Sequence, residues 1–189
     1  MSIQKAIELG QDWMKNSKDM LHDYSHASDV EQEALNICKD ENIIDEHFIS
    51  LLRVACWWHD SYKASEVKWP LIKYFTEGYE SEKIVRNMLK DLLTPEDIDV
   101  VGHAVRYHNS FPLSLLLTRK YNGITRILIE ADNIDCLNDS RLRRKYENPS
   151  IFLQLASKIY YLYIKISYRI LPMFKYNQRK LRFFKLKGE

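Results

Sequence analysis

Residues 51–60 read Leu51-Leu52-Arg53-Val54-Ala55-Cys56-Trp57-Trp58-His59-Asp60, and the fold turns on this stretch. The apolar run reads as a buried helix, and it ends in an imidazole and a carboxylate. Such a helix delivers two kinds of metal ligand to the edge of a core. Upstream lies His26, within Leu21-His22-Asp23-Tyr24-Ser25-His26-Ala27-Ser28-Asp29-Val30. Downstream lies Asp132, within Ile129-Glu130-Ala131-Asp132-Asn133-Ile134-Asp135-Cys136-Leu137. Two imidazoles and two carboxylates make a mixed N/O set suited to a divalent first-row metal, with positions left for water and substrate. A metal held that way lowers the pKa of bound water and clamps a phosphoryl oxygen.

The remaining chain also reads as helix. Residues 2–17 carry Ile3, Ile7, Trp13 and Met14 at helical spacing, with Gly10 weakening the middle. Tyr24 to Lys39 sets Val30, Ala34, Leu35 and Cys38 on one face, and His26 falls on that face four residues before Val30. Asp45-Glu46 precedes the apolar stretch from Phe48 to Trp58. Residues 61–78, with Trp69-Pro70 and Gly78, read as a loop carrying a short helix. Residues 79–92 predict a helix with Ile84, Val85, Met88, Leu89 and Leu92 apolar. Thr94-Pro95 looks like a helix start, with Thr94 as N-cap and Pro95 at the first helical position. That helix bears Val100, Val101, Ala104 and Val105, with His103 and His108 near its end. After Phe111-Pro112-Leu113, residues 113–137 resume as helix around Ile127-Leu128-Ile129. No repeat and no sheet-like alternation stands out, so the fold class is all-α. The expected division is a helical domain over 1–147 and a basic, aromatic-rich helical extension over 148–189.

Composition agrees. A chain of 189 residues, 46% hydrophobic and 29% charged, suits one globular domain with a sizeable core. Only five glycines and five prolines interrupt it, which favours long helices. Cys38, Cys56 and Cys136 have no CxxC spacing. That argues against a disulfide framework or a structural zinc site, and for a reducing compartment. The N-terminal residues lack an apolar signal core, so the expected location is the cytoplasm. The net charge of +2 hides an asymmetry. Residues 1–147 hold 19 basic and 25 acidic side chains, net −6, and residues 148–189 hold nine basic and one acidic, net +8.

The order H…HD…D closely resembles the HD-domain superfamily of metal-dependent phosphohydrolases, over roughly residues 20–137. A bare His-Asp dipeptide is weak. It gains weight here from the apolar helix before it, the Val four residues after His26, and the Ala-Asp-x-x-Asp of Ala131 to Asp135. The resemblance implies that His26, His59, Asp60 and Asp132 hold one divalent ion (Mn²⁺, Fe²⁺, Mg²⁺ or similar), with Asp135 supporting the local helix. It also implies hydrolysis of phosphomonoesters or phosphodiesters, commonly of nucleotides, by a metal-activated water, with Asp60, Lys63 and His108 as the catalytic residues. Lys63 stands four residues after His59, where the superfamily often carries an acid/base or phosphate-binding group. A lysine there supplies a point charge for a phosphoryl oxygen. His103 and His108 resemble the His-bearing helix across the site mouth, where they would bind substrate phosphate or, alternatively, a second metal ion. His22, one turn before His26, reads as an orienting or surface residue, and His47 as a surface residue. The residues after His59-Asp60 lack the paired acids of alarmone hydrolases, and no Gly-Tyr-Pro follows His108. Lys63 in place of Glu counts against the deoxynucleotide monophosphatases.

Residues 151–171 are long enough to span a bilayer, but Lys158, Lys165 and Arg169 interrupt them, so no transmembrane segment is expected. The last stretch interleaves Arg179, Lys180, Arg182, Lys185 and Lys187 with Phe174, Tyr176, Phe183 and Phe184. That pattern suits a helix closing the domain, nucleic acid, or an anionic membrane surface. The expected partner of the site itself is a small phosphorylated substrate. The rival reading is a non-catalytic HD-fold protein that binds a nucleotide or nucleic acid; the intact ligand set favours the enzyme.

Overall fold

The computed structural model describes residues 2–19, 22–65, 76–108, 123–136 and 162. Seven helices run through them: α1 (Ile3–Lys15), α2 (Tyr24–Asp40), α3 (Glu46–Trp58), α4 (Ser61–Ser65), α5 (Glu77–Leu89), α6 (Pro95–Tyr107) and α7 (Gly123–Cys136). No strand occurs among the described residues, so they are all-α. No helix among them is long and apolar enough to cross a membrane. Met1–Asp135 forms one compact unit and a second begins at Cys136. The basic aromatic end and the start of the helix read at residue 113 lie outside the described residues.

Four of the helix starts have a local cause. Ser2, Asp23, Asp45 and Thr94 are N-caps whose side chains accept from Lys5, His26, His47 and Asp97 backbone N–H groups, respectively. These bonds satisfy donors that no turn of the helix reaches. Pro95 follows its cap, where the missing N–H costs nothing.

Helix α3 is the centre, packed on by α1, α2 and α6, while α5 pairs with α6 and α4. Leu52, Val54, Ala55, Cys56, Trp57 and Trp58 are all at or near zero exposure. Trp58 donates Nε1–H to the Ala6 carbonyl at 2.9 Å, tying α3 to α1. On α2 the buried residue beside Cys38 is Ile37, while Leu35 is only half-buried.

Two glycines have a different role from the one the sequence suggests. Gly10 is no weak point of α1: a Cβ there would lie 2.7 Å from Trp58 Nε1 and 2.9 Å from Trp57 Cβ, so its bare backbone lets α1 seat on α3. Gly78 is not in a loop. It lies in the first turn of α5, where a Cβ would sit 2.0 Å from the Arg106 carbonyl oxygen. That close approach of α5 to α6 starts the helix two residues earlier than the apolar pattern predicts, and it carries Glu77 into the interior.

Candidate metal centre

Three helices and the link that follows one of them converge on one buried point. His26 comes from the first turn of α2, placed by the Asp23 cap. His59 ends α3 and Asp60 follows before α4. Asp132 lies on α7. His26, His59 and Asp60 are essentially unexposed, while the Asp132 side chain keeps 19% exposure. His26 Nε2 stands 3.0 Å from His59 Nε2, 3.2 Å from Asp60 Oδ2 and 3.4 Å from Asp132 Oδ1. His59 Nε2 is 3.3 Å from Asp60 Oδ2 and 3.9 Å from Asp132 Oδ1.

The far ring nitrogens decide what this contact means. His26 Nδ1 lies 2.7 Å from Asp135 Oδ2, and His59 Nδ1 lies 2.8 Å from the Cys56 carbonyl oxygen. Both partners only accept, so these contacts assign the ring proton to Nδ1 in each histidine. The two Nε2 lone pairs then face each other at 3.0 Å, with two carboxylate oxygens beside them. Four acceptors around one point repel unless a cation completes the set. Asp135 and the Cys56 carbonyl are the kind of outer partner that orients metal-binding imidazoles. Asp135 therefore does more than support α7: it holds His26 across 109 positions of sequence.

Asp60 faces two ways. Its Oδ2 meets the histidines, and its Oδ1 accepts from Lys63 Nζ at 2.9 Å and lies 3.4 Å from His108 Nε2. Lys63 is nearly buried, and its ammonium also reaches Glu77 Oε1 at 2.5 Å. His108 donates Nδ1–H to the Val105 carbonyl at 2.5 Å, and its Nε2 lies 3.7 Å from Glu77 Oε1. Burial pulls the His108 pKa down, but Asp60 and Glu77 outweigh it and push the value up to about 10. Burial opposes ionisation of Asp60, yet Lys63, His59, His22 and His108 together hold its carboxyl well below the usual range. Ligand atoms of His26, His59 and Asp132 lie within 4.8 Å of one another, and so do those of His59, Asp60 and His108.

Glu77 is the member that reading the sequence misses. An acid in the first turn of a helix ordinarily faces water and the helix dipole, and nothing in its neighbourhood marks it as buried. His103 lies apart from the cluster. Its Nδ1 is 3.2 Å from Thr125 Oγ1 and its ring packs on Tyr107. Burial lowers its pKa, opposed by Glu82 and assisted by Arg106. His22 is at the rim: Asp19 holds its Nδ1 at 2.9 Å, and its Nε2 stands 3.9 Å from Asp60 Oδ2. His47 is exposed and pairs with Asp97 at 2.9 Å. Beside Asp19 a cleft of about 470 Å³ opens between the end of α1 and the start of α2, lined by Met14, Lys15, Ser17, Lys18 and Tyr24 among others.

The family model described as "HD domain" matches residues 23–137, a span that holds every member of the cluster. No curated protein and no solved structure matches the chain.

Proposed function

The chain belongs to the HD-domain superfamily of metal-dependent phosphohydrolases, and on that premise we propose that it hydrolyses a small phosphomonoester or phosphodiester, nucleotide-like in character. The observation that carries this reading is the pair of Nε2 lone pairs converging at 3.0 Å between two carboxylates. His26, His59, Asp60 and Asp132 would hold one divalent ion of the Mn²⁺, Fe²⁺ or Mg²⁺ type, which fits an N₂O₂ set with open positions. When bound, such an ion acidifies a water and polarises a phosphoryl oxygen.

The chain's own residues supply the rest. Asp135 and the Cys56 carbonyl select the Nδ1–H tautomer of both neutral imidazoles, which leaves the Nε2 lone pairs to a metal. The Lys63 ammonium fixes Asp60 through Oδ1 and leaves Oδ2 to the histidines. His108, charged when its neighbours are ionised, offers an N–H beside Asp60 from which phosphate oxygens can accept. Among the four candidate ligands Asp132 is the partly exposed one, so substrate would approach from its side. The cleft by Asp19 would seat the organic part of the substrate, with Tyr24 as an apolar wall and Lys15 and Lys18 as cations beside it.

The test is the metal content of protein purified without chelators, together with turnover of p-nitrophenyl phosphate, its bis-ester and a panel of nucleotides. One ion per chain and metal-dependent turnover are expected. Asp60→Ala should lose the ion and the activity while its circular dichroism stays helical. A folded, metal-replete wild type that turns over none of these esters would overturn hydrolysis and leave a nucleotide-binding protein.

A further inference from the structure

We propose that Lys63 is a built-in substitute for a second metal ion: its ammonium occupies a cation site formed by Asp60, Glu77 and His108, and so restricts the centre to one ion. This rests on the reading of the first site given above.

Two carboxylates hold the Lys63 nitrogen, and His108, a third side chain of a kind that binds divalent metals, faces both of them. Asp60 Oδ1 is 2.9 Å from it and Glu77 Oε1 is 2.5 Å from it. His108 Nε2 faces the same two oxygens at 3.4 and 3.7 Å. All four residues are almost wholly buried. Asp60 spans two positions, Oδ2 towards His26 and His59 and Oδ1 towards this second set, which is the disposition of a carboxylate that bridges two cations. Two buried carboxylates demand positive charge, because an uncompensated buried charge is strongly destabilising. A lysine can meet that demand as a permanent point charge on a flexible stem. Its ammonium donates to Asp60 Oδ1 and pairs by charge with Glu77, standing in for a metal's charge without activating a second water.

Shortening the side chain should therefore turn the place over to a real ion. In Lys63→Ala the two carboxylates remain, with room where the ammonium was, and a divalent ion entering there takes the His108 Nε2 lone pair as that nitrogen gives up its proton. The experiment is equilibrium dialysis against Mn²⁺ with metal analysis per chain, paired with electron paramagnetic resonance to distinguish isolated from exchange-coupled ions. Wild type should bind one Mn²⁺ and give an isolated-ion spectrum at saturation. Lys63→Ala should bind two and show exchange coupling, and Lys63→Ala/Glu77→Gln should return to one. If wild type already binds two coupled ions, the proposal is overturned even should the variant not fold. If wild type binds one and folded Lys63→Ala also binds one, the place is not a metal site and only this inference fails. If wild type binds none, the assignment of the first site fails with it.

Discussion

Asp135→Asn isolates the step from hydrogen bond to metal affinity. The Asp135 side chain is 1% exposed, and its Oδ2 lies 2.7 Å from His26 Nδ1. A carboxylate acceptor makes this a charge-assisted bond, roughly twice as strong as its neutral counterpart. Asparagine keeps the volume, and its carbonyl oxygen can still accept, but the charge that makes Nε2 a better donor to a metal is gone. Loss of an outer partner of this kind costs about 10–100-fold in metal affinity, or roughly 1.4–2.7 kcal/mol. Asparagine should fall near the tenfold end because it keeps an acceptor. Asp135→Ala should approach 100-fold, since it frees the imidazole to rotate and to move its proton to Nε2. The assay is competition for Mn²⁺ between protein and a fluorescent chelator at fixed pH, with circular dichroism of the metal-free variants as the control for fold. Wild-type affinity in both folded variants would refute the tautomer argument, and with it the reason for reading the 3.0 Å contact between His26 and His59 as a cation site.

Two further outcomes test the packing and the histidines. Gly78→Ala should lower the Tm: the added Cβ would sit 2.0 Å from the Arg106 carbonyl, and overpacking of about 1–3 kcal/mol outweighs the helix propensity of about 1 kcal/mol that alanine adds. A Tm at or above wild type would mean that α5 and α6 are not in that contact. His103 should titrate below 6.5 in a histidine NMR titration, since its burial favours the neutral ring. Its contribution to stability is present above pH 6.5 and is lost as the pH falls towards the lower folded value; a midpoint above 6.5 would place the ring in a different environment.

How far the site can be read from the sequence depends on separation along the chain. His59-Asp60 is legible because a buried helix runs straight into it, and His26 because it shares a face with Val30. His103 and His108 look equivalent in sequence, but five residues at 3.6 per turn set them about 140° apart on α6. Only one of them can face the cluster, and it is His108. Glu77 is illegible because its burial depends on Gly78 meeting the Arg106 backbone, a contact between two helices that no local pattern announces. The partner of Asp135 is hidden for the same reason.

What these concealed residues add is charge. The cluster gathers the carboxylates of Asp60, Glu77, Asp132 and Asp135, the first two on the Lys63 ammonium and the last two beside the His26 ring. The four metal-ligand candidates alone present two carboxylates, a balance that one divalent ion meets. Glu77 and Asp135 raise the negative charge beyond that, and each comes with its own compensation: Lys63 for Glu77, and the Nδ1–H dipole of His26 for Asp135. The elevated pKa of His108 follows from the same excess, since a ring beside Asp60 and Glu77 keeps its proton despite burial. Between His26 and His59 the two Nε2 atoms, with Asp60 Oδ2 and Asp132 Oδ1 beside them, gather acceptor atoms that a cation would hold together. A divalent ion at the point where the four candidate ligands meet would remove their mutual repulsion.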